Sequence, residues 1–160
     1  MNFINIILSD RWLPITIVIV SPIIAFLIDF LFSLVFKRLA GKTKTMIDDQ
    51  IIKILHNPIF YSTIFIGWMI AIKKTSFAYS GYIVSIFLTI IIIIWAKAIF
   101  KGFVLIIDWY SKAGRSRTVL RQRTIPLFDN LGKLTIFLVC IFFIFKGWGW
   151  DVTGWIASAG

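Results

Sequence analysis

The sequence predicts an all-α membrane protein, with four transmembrane helices followed by the first turns of a fifth. Three observations lead there. Of 160 residues, 59% are apolar and only 15% are charged, with a mean hydropathy of +0.93, whereas soluble domains run at about 45–50% apolar and about 25% charged. The apolar residues fall in uncharged runs near the ~20 residues that cross a bilayer. The charges collect between those runs. A water-soluble fold would need polar surface this chain lacks, and disorder would need the opposite composition. Basic residues outnumber acidic ones 17 to 7, for a net charge of +10. In a soluble chain that excess would suggest nucleic acid; between spans it points to anionic lipid headgroups, and no nucleic-acid partner is expected. Cys140 is the sole cysteine, so neither an intrachain disulfide nor a cysteine metal cluster can form.

Span one covers 12–36. Trp12 to Ile28 is an uncharged run of 17 residues, extended across Asp29 by Phe30 to Phe36. A cleaved signal peptide is not expected, because Asp10 stands where a basic cluster would be and no small-residue cleavage site follows. Pro14 and Pro22 lie in its first half, and Pro22 is expected to kink it. Gly41 then reads as a stop. The polar connection from Lys37 to Lys53 holds Asp48 and Asp49 near the start of an amphipathic turn, with Met46, Ile51, Ile52 and Leu55 as its apolar face. Asn57 and Pro58 read as a restart, Asn57 capping and Pro58 at the first helical position, where a missing N–H costs nothing. Span two would then run 57–72, only about 16 residues or about 24 Å, short enough to require local thinning or snorkelling flanks.

Thr75 to Ala96 holds 22 residues without charge, including the isoleucine run Ile90 to Ile94. This is span three, and its pattern continues past Lys97 and Lys101 to Asp108, Trp109 and Tyr110, giving 75–110. At 100° per residue the three charged positions share one face. Lys112 to Lys133 is the longest polar stretch and is expected to be a loop or surface helix. Span four is expected over 131–147, after which Trp148, Gly149 and Trp150 form a turn with interfacial aromatics. Asp151 is placed to cap a fifth helix. Its sequence DVTGWIASAG ends after ten residues with nothing polar to close it, so it reads as the opening of a span truncated at Gly160.

Counting bases gives five in the first connection and eight from Lys97 to Lys133, 13 together, against four on the other side at Arg11, Lys73, Lys74 and Lys146. The positive-inside rule then puts the first and third connections in the cytoplasm and the amino terminus outside. A plasma (inner) membrane is expected.

Catalytic chemistry finds little to work with. There are seven Asp and no Glu, and the adjacent pair Asp48 and Asp49 points to different helix faces. The lone His56 sits beside Asn57 and Pro58, where an interfacial capping role is favoured over a metal ligand, since a metal site needs three or four ligands. No enzyme activity, metal or cofactor is expected. Asp29 is the one acid inside an apolar run, where an ionised side chain costs roughly 2.5–3.5 kcal/mol at the helix centre. It should have a partner, either as an ion or proton site or as a snorkelling or helix-contact residue near Lys37. The basic residues Lys112, Arg115, Arg117, Arg121 and Arg123 suit anionic headgroups at about 1 kcal/mol each, or serve simply as a topogenic loop. Gly154, Ala157 and Gly160 recur at every third position, a stripe on which another helix can approach closely, as a two-helix contact or as a ring around a pore.

Two stretches carry a family resemblance. KTKTMIDDQIIKILHNPI, starting at Lys42, resembles the connection found in small-conductance mechanosensitive (MscS-type) channels, especially members with extra amino-terminal helices. GWGWDVTGWIASAG, ending at Gly160, is similar to the entry into that family's pore-lining helix, an Asp or Gln, Val and Thr followed by Ala and Gly. The resemblance implies a tension-gated channel, assembled as a homoheptamer, with 1–150 as sensor and paddle and with Asp151, Gly154, Ala157 and Gly160 starting the pore helix. The family's constricting leucines, kinked pore-helix half and cytoplasmic vestibule would lie beyond Gly160. A reading from a different class is a transporter subunit or helical scaffold with a polar pathway at Asp29 and Lys97.

Overall fold

The computed structural model describes residues 12–40, 46–75, 78–113 and 119–152 together with Gly154, Ala157 and Ser158; side chains are described over 12–35, 50–75, 78–109, 126–127 and 129–152 and at those last three positions. Among the described residues the regular structure is helical, and four helices follow one another: α1 Leu13–Ala40, α2 Met46–Lys74, α3 Ser80–Ala113 and α4 Val119–Gly147. Each contains a stretch long and apolar enough to cross a membrane, Leu13–Val35, Gln50–Lys74, Ser80–Trp109 and Asp129–Gly147. The chain is a multi-pass membrane protein by this measure, and large apolar side chains such as Ile23, Phe26, Leu127 and Phe137 stand exposed along these helices. In water that surface would drive aggregation; in hydrocarbon it is the solvated surface.

Two boundaries depart from sequence expectation. The helix does not restart at Asn57 and Pro58: α2 begins at Met46 and carries Pro58 in its interior, so its apolar window is 25 residues long and no thinning of the bilayer is required. Nor do the residues from Val119 to Asn130 form a separate loop or surface helix, because α4 runs unbroken from Val119 through Pro126 into the span. The reason is shared. A proline removes one backbone donor, but in a long helix flanked by good helix formers such as Leu55 and Ile59, or Leu127, ending the ladder would orphan several groups instead of one. Span three starts later than expected, at Ser80, and continues as expected beyond Asp108.

The residues divide into two compact units, Met1–Ile91 and Ile92–Gly160. In the first, α1 and α2 pack along each other. The α1 side of that contact is a stripe at four-residue spacing, Ser21, Ala25 and Asp29, all buried, and on α2 Ser62 and Ala71 are buried as well. Small residues at i and i+4 let two helix backbones approach closely, which is how apolar helices associate where no hydrophobic force separates lipid from side chain. Gly67 marks a close approach, since a Cβ there would overlap the Cβ of Ser21. Beside it Phe65, Trp68 and the α3 residue Phe87 form an aromatic cluster with ring centroids 5.3–5.9 Å apart. In the second unit Ala98 is buried, and Gly132 of α4 is covered by the ring of Phe103 of α3, which leaves no room for a Cβ.

Candidate functional site

Hydroxyl groups within the apolar helices are satisfied locally. Thr16 donates to the Leu13 carbonyl, Ser21 to Val18, Thr63 to Ile59 and Thr135 to Leu131, at 2.8–3.1 Å. Bonds of this kind let a hydroxyl sit in lipid without water, so these residues do not by themselves trace a wet path. Asp29 is different. It is buried on the α1 face that meets α2, and His56 of α2 places Nδ1 2.5 Å from its Oδ1. The separation is that of an ion pair, but the alignment is poor and Oδ1 takes no hydrogen bond. The imidazole is half exposed while the carboxylate is nine-tenths covered. Among the described residues no third His, Cys, Asp or Glu joins them to make a metal-binding group.

The partner that the sequence demanded for Asp29 is therefore His56. The capping role expected for His56 does not hold: the residue lies in the interior of α2, ten positions after Met46. The pairing was missed because it crosses two helices 27 positions apart in sequence, and the usable signal was the continuation of the Ser21, Ala25 stripe onto Asp29 at the same spacing. Depth along the two spans agrees. Asp29 precedes the end of its apolar window by six residues and His56 follows the start of its own by six, each about 9 Å of helix.

The other expected positions belong to the second unit. Lys97, Lys101 and Asp108 are exposed on α3, in keeping with a face turned away from buried packing. Asp129 and Lys133 on α4 pair at 2.6 Å, one turn apart at the start of the fourth span. Lys112 lies in the last turn of α3, and Arg121 and Arg123 lie in the first turns of α4, with side chains outside the described set; Arg115 and Arg117 are outside the described residues. Asp151, Gly154 and Ala157 are exposed and Gly160 is outside the described residues, so a fifth helix over 151–160 is not shown.

The end of α4 is well defined. Gly149 adopts φ 76°, its N–H bonds the Lys146 carbonyl at 3.1 Å, and the Trp150 N–H bonds the Phe145 carbonyl at 3.0 Å. This pair of bonds around a left-handed glycine is a Schellman termination. The apolar contact that accompanies such a motif is present too: the rings of Trp150 and Phe145 stack at 5.2 Å. The turn that the sequence placed at Trp148 to Trp150 thus closes α4 directly before Asp151. No family model, curated protein or solved structure matches this chain.

Proposed function

We propose that the chain is the membrane portion of a tension-gated ion channel of the small-conductance mechanosensitive type. The observation that carries this reading is the Schellman turn at Gly149, which ends the fourth apolar helix and hands the chain to DVTGWIASAG, the stretch that resembles the entry to a pore-lining helix. A rigid stop there lets displacement of α4 act on the residues after Asp151 rather than dissipate in a floppy link. Bilayer tension favours whichever state has the larger in-plane area. Helices α1 to α4, gripping lipid through their exposed apolar side chains, would tilt and carry the helix that begins at Asp151, while Gly154, Ala157 and Gly160 let neighbouring copies slide past one another. Lys112, Arg115, Arg117, Arg121 and Arg123 would hold anionic headgroups on the cytoplasmic side of the plasma membrane, with a homoheptamer forming the pore and the amino terminus outside.

Patch recording from membranes that carry these residues extended through a complete pore helix and vestibule tests this. Suction should evoke unitary currents, Ala157→Trp should reduce or abolish their conductance, and neutralising Arg115, Arg117, Arg121 and Arg123 together should move the threshold with conductance unchanged. Absence of stretch-activated currents up to patch rupture, or an unaltered conductance in Ala157→Trp, overturns the reading.

A further inference from the structure

We propose that the Ser21 hydroxyl latches a proline hinge in α1, and that the latch holds only while α1 is docked on Gly67 of α2. Pro22 lies inside α1, which nonetheless runs unbroken from Leu13 to Ala40. In an α-helix the N–H of residue 22 would donate to the Val18 carbonyl, but proline has no N–H and its ring crowds that carbonyl. The Ser21 hydroxyl takes the place of the missing donor, reaching the Val18 carbonyl at 3.1 Å. Thr16, Thr63 and Thr135 make bonds of the same kind, yet their acceptors, the carbonyls of Leu13, Ile59 and Leu131, each have an ordinary N–H four residues on, at Ile17, Thr63 and Thr135. There the hydroxyl is added to a ladder whose donors are all present; at Ser21 it stands in for an absent rung. Val18 is 39% exposed, so without that hydroxyl its carbonyl would be left unpaired beside hydrocarbon, where no water can serve it.

Ser21 also carries the contact with α2. It is buried on the α1 face that meets that helix, and a Cβ at Gly67 would lie 2.4 Å from its Cβ and 3.1 Å from its Oγ. The bare backbone of Gly67 thus leaves the hydroxyl just enough room to stay on Val18, and covers it. When the helices part, that confinement ends. The side chain regains its other rotamers, the Val18 rung opens, and α1 bends at Pro22, the point where a single side-chain bond closes its ladder. The stiffness of α1 is thereby tied to its contact with α2, so that whatever separates the two helices also frees the hinge. This coupling needs no channel activity and would operate in any role of the hairpin.

Two measurements on the protein in lipid bilayers test the proposal. Val18–Ile19 is the only Val–Ile step in the chain, so labelling valine with ¹³C at the carbonyl and isoleucine with ¹⁵N isolates one resonance, the Val18 carbonyl, whose shift reports the hydrogen bond it accepts. Ser21→Ala, which keeps the Cβ and with it the fit to Gly67, should move that resonance upfield. So should Gly67→Ala, and so should Ala25→Leu, which forces the helices apart without touching either partner. In a Pro22→Ala background, where the N–H of residue 22 completes the ladder, none of the three should move it. The ¹⁵N orientational spectra of aligned bilayers give the tilt of α1 on each side of Pro22; the difference should widen in all three variants and shrink in Pro22→Ala. A Val18 shift unchanged in Ser21→Ala, or changed equally with and without Pro22, overturns the latch, and a tilt difference that does not widen overturns the hinge. A response to Ser21→Ala but not to Gly67→Ala or Ala25→Leu overturns the dependence on α2. Circular dichroism checks that each variant folds, and a Ser21→Ala chain that folds only together with Pro22→Ala would itself display the expected coupling.

Discussion

Gly67 and Ser21 show how little side chain the contact between α1 and α2 tolerates. A Cβ on Gly67 would overlap a Cβ rather than the far end of a flexible side chain, so relief requires the helices to part. Gly67→Ala should therefore destabilise the hairpin by about 1–3 kcal/mol, the range for overpacking a close contact. Removing the opposing atom should restore it: Ser21→Gly should rescue Gly67→Ala, and Ser21→Ala, which keeps the Cβ, should not. Gly102 serves as the internal control, since nothing lies within 4 Å of a Cβ built there. Gly102→Ala should be neutral or stabilising by up to about 1 kcal/mol through helix propensity alone. Thermal unfolding in detergent, followed by circular dichroism, reads all four variants. If Ser21→Ala rescues as well as Ser21→Gly, hydroxyl chemistry and not backbone approach governs this contact.

At the scale of elements, what could be read from the sequence divides along a physical line. Long uncharged runs depend on composition, so four spans were legible. Pro58 was misleading because the cost of a missing donor is fixed, whereas the cost of ending a helix depends on what surrounds it. Asp29 announced its need for a partner through the cost of burial, but the identity of that partner depends on interhelix register, which a single helix period does not encode. The turn at Gly149 was legible in kind, and its bonding pattern yields a prediction. Nothing lies within 4 Å of a Cβ at Gly149, so the cost of a side chain there is conformational. Gly149→Val should destabilise the end of α4 by roughly 1–2 kcal/mol, the cost of a left-handed conformation for an L-residue, and Gly149→Asn by less. Trp150→Ala should loosen the same turn by removing the ring stacked on Phe145. Amide exchange at Gly149 and Trp150 measures both effects; equal protection in all three variants would mean the turn is held by something other than its own bonds.

For the whole molecule, the charges flanking the four apolar helices dictate an arrangement across the bilayer. Thirteen bases flank the first and third connections and four flank the other side. Transfer of Lys and Arg across a membrane is what the insertion machinery resists, so the side holding 13 should remain cytoplasmic. Single cysteines introduced into a Cys140→Ala background at Thr43, between α1 and α2, and at Thr75, after α2, should react from opposite sides with a reagent that does not cross membranes. Thr43 should be reached only from the cytoplasm and Thr75 only from outside. A stronger version moves the charge. Replacing Lys37, Arg38, Lys42 and Lys44 by Gln while adding four Lys after Lys74 shifts the count from 13 against four to nine against eight, a near balance. The labelling should then become mixed, with a fraction of molecules inverted, while the helix content by circular dichroism stays the same. Same-side reaction of Thr43 and Thr75 in the parent would mean that α2 enters and leaves by one face, and the four-span arrangement would fail with it. A uniform orientation in the charge-shifted variant would show that something other than these bases orients the chain, and the cytoplasmic placement of the segment from Lys112 to Arg123 would then lose its basis.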